Sequence, residues 1–250
     1  MYKYFYSFES CFKKIVFKAF SLAEVLFTLT IVGIIASLVL PVVIADTQKA
    51  ETAVKVKKYQ LMIAQASLHI KNKYGEIYNS PINTVNTDHA NGWNTFKTEL
   101  NLIRDCGATT GQNCWGLGTY KFLNGNNWVD FNNYTTSGKG ILLDGSLINY
   151  ESSYYCIGDK SANSAGVLHD TECAIIFIDT NGPKPPNQGG RDVFSWHVLR
   201  NGSVLPYGSL EDRYGGCDPN STDVTGGSDG SPGRGGGCTM QVLRDGKITY

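Results

Sequence analysis

The sequence lacks the signatures by which enzymes are usually recognised. Its four histidines, His69, His89, His169 and His197, stand far apart, and there is no H-E-x-x-H helix, no G-x-S-x-G elbow and no dinucleotide-binding glycine fingerprint. The glycine-rich run after Cys217 does not end in G-K-[ST], so it is not a phosphate loop. No C-x-x-C pair or neighbouring histidine supplies tetrahedral zinc spacing. An excess of one charge is missing too: 22 Lys and Arg balance 22 Asp and Glu, which gives no reason to expect a nucleic-acid partner. These absences point away from catalysis and toward a structural or binding role.

Cysteine is present, and its distribution is informative. Of seven cysteines, Cys11 precedes a long apolar run, while Cys106, Cys114, Cys156, Cys173, Cys217 and Cys238 follow it. An even set beyond an apolar segment suits disulfides in an oxidising compartment. Nearest-neighbour closure, Cys106 with Cys114, Cys156 with Cys173 and Cys217 with Cys238, makes the shortest loops; sequence leaves the other connectivities open.

The apolar run, FSLAEVLFTLTIVGIIASLVLPVVIA over residues 20–45, would be about 39 Å long as a helix, more than the roughly 20 residues a bilayer core requires. Lys13, Lys14 and Lys18 precede it, placing residues 1–19 in the cytoplasm by the positive-inside rule. Lys49, Lys55, Lys57 and Lys58 follow it, and the distal cysteines decide for an exported head. A cleaved secretory signal would have a shorter apolar region ending in small residues. Glu24 is the outlier, because a carboxylate at membrane depth costs roughly 2.5 to 3.5 kcal/mol and usually has a partner or a function.

Residues 18–24, KAFSLAE, resemble the cleavage and methylation motif of type IV prepilins and type II secretion pseudopilins. In that family a membrane-embedded prepilin peptidase cuts before a Phe, methylates the new amino terminus and leaves Glu as the fifth mature residue. Phe20 and Glu24 match this spacing, and Gly33 and Pro41 fall where such helices carry a glycine and a bending proline; Ala19 stands where the family has Gly. The resemblance implies a pilin-like α+β fold and cleavage between Ala19 and Phe20. It also implies assembly through Phe20, Glu24 and Pro41 into a homo- or heteropolymer of pilin-like subunits. The implied partners are the prepilin peptidase, an inner-membrane assembly platform and membrane lipid, in a single-pass bacterial inner-membrane protein with a periplasmic or extracellular head. Physically, the freed amine of one copy and Glu24 of another would each be expensive alone in an apolar medium, and pairing removes most of that cost. The competing readings are a signal anchor that tolerates Glu24, and a membrane-anchored, adhesin-like binding module that does not polymerise.

The expected organisation is a leader over residues 1–19, a membrane and filament-core helix over 20–45, an amphipathic continuation over 46–75 and a β-rich head over 76–250. Val56, Tyr59, Ile63, Ala66 and Ile70 recur at helical steps and form the face on which the head packs, with Gly75 as the stop and Pro41 as a kink. Residues 93–103 (WNTFKTELNLI) read as a short helix within a loop-rich region containing Asn83 and Asn86. Trp93, Trp115 and Trp128 read as core or loop anchors, with sugar binding as the alternative.

Three segments, 141–148, 198–205 and 242–249, each place Asp-Gly or Asn-Gly between aliphatic runs. This predicts three two-residue hairpin turns with positive φ at both central positions. Residues 174–178 (AIIFI) add a buried strand. The loop after it carries Asp179, Asn181, Asn187 and Asp192 among several prolines. These hard oxygen donors suit calcium, and the loop looks like the calcium-holding loop of some pseudopilins; the alternative is an Asx-turn connection. The Gly-rich stretch between Cys217 and Cys238 reads as an exposed loop whose closure is worth about 3 kcal/mol.

Overall fold

A computed structural model describes residues 20–82, 89–108, 114–115, 118–133, 137–153, 156, 171–209, 216–223 and 232–250. The leader with Cys11 and Ala19, the loop residues Asn83 and Asn86, and His169 lie outside the described residues. The chain divides into two compact units, Met1–Asp46 and Thr47–Tyr250.

Helix α1 (Leu22–Tyr74) is one continuous element of 53 residues. Its start is a capping box: the Glu24 amide donates to Ser21 Oγ at 3.2 Å, and Glu24 Oε2 accepts from the Ser21 amide at 3.4 Å. Its end is Gly75 at φ +86°, whose amide reaches the Lys71 carbonyl at 2.7 Å; a residue without Cβ takes this left-handed turn without strain. Lys71 and Lys73 in the last turn favour the negative end of the helix dipole. Pro41 lies inside the helix, which continues on both sides of it; the missing N–H removes one helical hydrogen bond and does not interrupt the element.

In the second unit, α1 buries Ala53, Val56, Tyr59, Ile63, Ala66, Ser67 and Ile70, the expected periodic face with two small additions. This face packs on a six-stranded antiparallel meander ordered β1 (Leu102–Gly107), β2 (Ser137–Leu142), β3 (Leu147–Ser152), β4 (Glu172–Asp179), β5 (Val193–Leu199) and β6 (Val204–Pro206). Ile148, Tyr150, Ala174, Ile176, Ile178, Phe194, Trp196 and Val198 meet the helix in one buried cluster. Burying each such side chain contributes about 1.5 to 3 kcal/mol. Leu147, Ile141, Phe177 and Val193 point to the other side of the sheet. There Trp115, Tyr120 and Phe131 cover them, with Trp128 at the edge.

The 93–103 region departs from the expected helix. Helix α2 (His89–Phe96) ends in a 3-10 turn at Lys97–Glu99, and the chain then enters β1. Pairing of Leu102 with Leu142 and Asp105 with Gly140 makes that strand, a long-range choice that local periodicity does not carry. Trp93 and Trp115 are buried as anchors, 0% and 2% exposed.

Two of the three expected hairpins form, with a different turn. Between β2 and β3 the Gly145 amide bonds the Leu142 carbonyl at 2.9 Å and the Leu142 amide bonds the Ser146 carbonyl at 2.8 Å; Gly202 and Leu199 repeat the pattern between β5 and β6. Only the glycines, at φ +82° and +84°, take positive φ, so these are three-residue loops with a glycine bulge and not two-residue turns. The third segment is no hairpin. Its first four residues end helix α3 (Cys238–Asp245), and Gly246 at φ +71° caps that helix by bonding the Val242 carbonyl at 2.8 Å. The same left-handed glycine serves a hairpin bulge or a helix end, and burial of Cys238, Thr239 and Val242 on one helical face selects the helix.

The disulfides are Cys106–Cys114, Cys156–Cys173 and Cys217–Cys238, the nearest-neighbour pattern. The architecture is therefore α+β, with a long N-terminal apolar helix, an antiparallel sheet and three disulfides.

Candidate functional site

Two features carry chemistry that the core does not need. The first lies in the first unit. Among the described residues α1 contains the one stretch long and apolar enough to cross a membrane, with a mean hydropathy of 2.6 and none of it buried. Its hydroxyls are satisfied within the helix: Thr28 donates to the Val25 carbonyl, Thr30 to Leu26 and Ser37 to Ile34, at 2.7 to 2.9 Å. A segment with no unmet donors of this kind suits a solvent that offers no hydrogen bonds. Glu24 is exposed and its partner is the backbone of Ser21. The S-x-x-E spacing announces this cap, a local role that a search for an intermolecular partner overlooks. Phe20 is 79% exposed, ahead of the helix.

The second feature is the loop from β4 to β5. The structure brings Asp179, Asn181, Asn187 and Asp192 together. The Asn181 amide donates to Asp179 Oδ1 at 3.2 Å, and Asn181 Nδ2 lies 3.3 Å from Asp192 Oδ2 and 3.4 Å from the Pro185 carbonyl. Asn187 adopts φ +50°, which aims its amide at Asp192 Oδ2, 2.7 Å away, while the Gln188 amide meets Oδ1 at 2.6 Å. The Asx-turn connection is thus real. It does not exhaust the loop, because Thr180 Oγ1, Asn181 Oδ1 and Asn187 Oδ1 are buried without a hydrogen-bond partner.

The electrostatics of the loop are those of an unbalanced acid pair. Burial, then the neighbouring Asp192 charge, push Asp179 up to about 8 against hydrogen bonds that favour the anion, among them the Tyr120 phenol at 2.8 Å. Burial raises Asp192 to about 6 even though the Gln188 and Asn187 amides stabilise its charge. Two buried carboxylates and three undonated neutral oxygens are hard ligands of the type that calcium takes. The donor set fits such an ion, although among the described residues no group of three or more His, Cys, Asp or Glu forms a metal cluster. Tyr120 and Thr180 were not legible as members of this loop: Tyr120 is remote in sequence and arrives through the aromatic layer, and Thr180 reads as an ordinary turn residue.

Comparison with protein families, curated proteins and solved structures gives no match. The geometry therefore stands alone.

Three clamps hold the loop in place. Gln188 Nε2 donates to the carbonyls of Phe122 and Leu123 at 2.8 and 2.7 Å. Tyr250 donates its phenolic hydrogen to the Gly190 carbonyl at 2.5 Å. A Cβ at Gly190 would lie 2.7 Å from Cys238 Sγ, so the Cys217–Cys238 disulfide packs directly on the turn. Of the described histidine side chains, His69 pairs with Glu99 at 3.1 Å, and buried His197 bonds Glu172 and stacks on Tyr207 at 3.9 Å. They occupy separate places and do not converge on a nucleophile.

Proposed function

We propose that this chain is a structural subunit of a type IV pilus-like or type II secretion pseudopilus filament, matured by a prepilin peptidase between Ala19 and Phe20. The observation that carries the reading is the union of an exposed apolar helix with Glu24 at its start, four residues after Phe20. In a plain membrane anchor the carboxylate would serve only as a helix cap, whereas a filament gives it a charged partner as well. In the proposed filament the mature Phe20 amine of one copy meets Glu24 of another, which releases Ser21 from its cap and fixes the axial register of the helices. The head remains outside the membrane with its disulfides formed, and the chain is an enzyme's substrate and not an enzyme.

The mass of the mature N-terminal peptide tests this. A chain beginning at N-methylated Phe20 is expected, and an intact Met1 or a cut near Ala45 would sink the reading. Glu24→Ala should abolish polymer while leaving the head folded. A head that still binds its surface ligand, in a chain that never polymerises even with Glu24, would favour the anchored binding module.

The Asp179–Asp192 loop supports a second element of the reading, a calcium ion held by Asp179, Asn181, Asn187 and Asp192 with Thr180 nearby. The three buried oxygens without donors favour it. When bound, the ion would supply positive charge that neutralises the acid pair and rigidifies the connection from β4 to β5. The residues of the chain do the rest: the Asn187 and Gln188 amides orient Asp192, and Tyr120 orients Asp179.

A further inference from the structure

Thr180 stands between Asp179 and Asn181, two residues of the loop proposed above to hold calcium, and is 1% exposed. Its hydroxyl Oγ1 is buried without a hydrogen-bond partner, but its main chain is held from three sides. The Thr180 amide donates to the Asp192 carbonyl at 2.8 Å. The Thr180 carbonyl accepts from Lys55 Nζ of α1 at 2.7 Å and from Ser146 Oγ, at the tip of the β2–β3 hairpin, at 3.1 Å. Both lone pairs of that oxygen are therefore used. Ser146 in turn contacts the phenol of Tyr59, one helical turn beyond Lys55. The hairpin tip and the loop also abut through their backbones, since a Cβ at Gly182 would lie 2.8 Å from the Gly145 carbonyl.

The Thr180 carbonyl and the Asn181 N–H belong to one planar trans peptide unit, in which they point in opposite directions. A carbonyl drawn toward Lys55 on α1 aims the Asn181 N–H to the other side, where it donates to Asp179 Oδ1 at 3.2 Å. That bond orients one carboxylate of the acid pair. The same peptide carries Asn181, whose Oδ1 is buried without a donor. The helix thus sets the plane of the peptide that joins the loop's first two oxygen-bearing residues. Without Lys55 the carbonyl is left to Ser146, whose single hydroxyl hydrogen also lies against Tyr59. A charged donor makes the stronger bond, so Lys55 is the firmer of the two holds.

We propose that Lys55, which supplies no ligand, is the positioning residue of this cation site, and that calcium occupancy and the docking of α1 on the sheet are one coupled equilibrium. The inference rests on the calcium reading above. Coupling of this kind is reciprocal: where the Lys55 bond favours the bound ion, the bound ion favours the Lys55 bond by the same factor. The α1 segment around Lys55 and Tyr59 then responds to the state of a loop 125 residues away in sequence.

The test is calorimetric titration of the full chain in detergent micelles with calcium, after treatment with chelator, using variants whose disulfides are intact. Lys55→Met should weaken calcium binding by at least about 10-fold, whereas Lys55→Arg, which keeps a charged donor, should stay within about 3-fold of wild type. Ser67→Ala removes a comparable bond from α1 to a backbone carbonyl, that of Ser67 Oγ to Gly202 at 2.9 Å, about three turns further along the helix. It should leave calcium binding unchanged, which separates positioning of the loop from loss of helix docking in general. In the wild-type chain, saturating calcium should slow acetylation of Lys55 by at least about 3-fold relative to exposed Lys57, a readout that needs no variant. Equal affinity in wild type and Lys55→Met, equal weakening in Ser67→Ala, or Lys55 labelling indifferent to calcium would overturn the positioning role while leaving the calcium site in place. Absence of calcium binding by the wild-type chain would overturn the calcium reading itself, and the coupling with it.

Discussion

Tyr59 of α1 donates its phenolic hydrogen to Asp144 at the tip of the β2–β3 hairpin, 2.8 Å away, and Lys58 reaches the same carboxylate oxygen at 2.7 Å. One helical step thus locks α1 to the sheet by two donors on one acceptor. Burial opposes the Asp144 charge, but hydrogen bonds from Lys58, Tyr59 and Ser146 outweigh it and hold the carboxyl at about 2. A carboxylate with a depressed folded pKa contributes stability that is complete above its ordinary value and is lost as pH falls through about 2. Because Asp144 is partly solvent-screened, the contribution is about 1 kcal/mol. Asp144→Asn should lower chemical-denaturation stability by about that amount at neutral pH and remove the corresponding part of the acid-induced loss.

Gly138 is a second close contact. A Cβ at this position would fall inside the Trp93 indole, which is held in place by its Nε1 donating to Asp105 at 2.9 Å. Neither ring nor strand can retreat without breaking that bond or the β2 pairing. Gly138→Ala should therefore destabilise the head by about 2–3 kcal/mol, read as a lower denaturation midpoint, whereas Gly33→Ala, with nothing within 4 Å, should leave the head unchanged.

The β4–β5 loop predicts an unusual pH dependence. Asp179 and Asp192 have folded pKa values above their ordinary one, about 8 and about 6. The folded state then binds more protons than the unfolded state, and stability falls as pH rises from about 4 to about 8. In chelator the head should melt at least about 5 °C higher at mildly acidic than at mildly alkaline pH. Saturating calcium should restore about 2–4 kcal/mol at the alkaline end. Asp179→Asn should flatten both responses; a melting profile indifferent to calcium would rule out the cation.

Val54, Leu61 and Leu68 lie on α1 opposite its buried face and are 51–68% exposed. In the proposed filament this stripe meets another copy. Leu61→Asp should leave the melting temperature of the head within about 1 °C, since it loses no buried contact, and should reduce the polymer yield seen by electron microscopy. Unchanged polymer would place the filament contacts elsewhere.

Much of this was legible from local chemistry. The buried face of α1 and its stop at Gly75 follow from helical periodicity and from the one residue that tolerates left-handed φ. The strand over residues 174–178 follows from an unbroken apolar run rich in isoleucine, and the disulfide pairing agrees with the shortest loops. The same locality explains the failures. Asp245-Gly246 carries the chemistry of Asp144-Gly145, yet it ends a helix because Cys238, Thr239 and Val242 bury together. Residues 102–107 are unremarkable in isolation and become β1 only because β2 is there to pair with.

The candidate site divides along the same line. Sequence alone determined the apolar span, the position of Glu24 within it and the identities of the four oxygen-bearing residues from Asp179 to Asp192, because these are properties of neighbouring residues. Only the tertiary structure decided that Tyr120 reaches Asp179, that three oxygens of that loop are left without donors, and that Tyr59 meets Asp144 at the hairpin tip. Those relations depend on strand register and burial, which are settled by the whole sheet closing on its core and by no short stretch of chain.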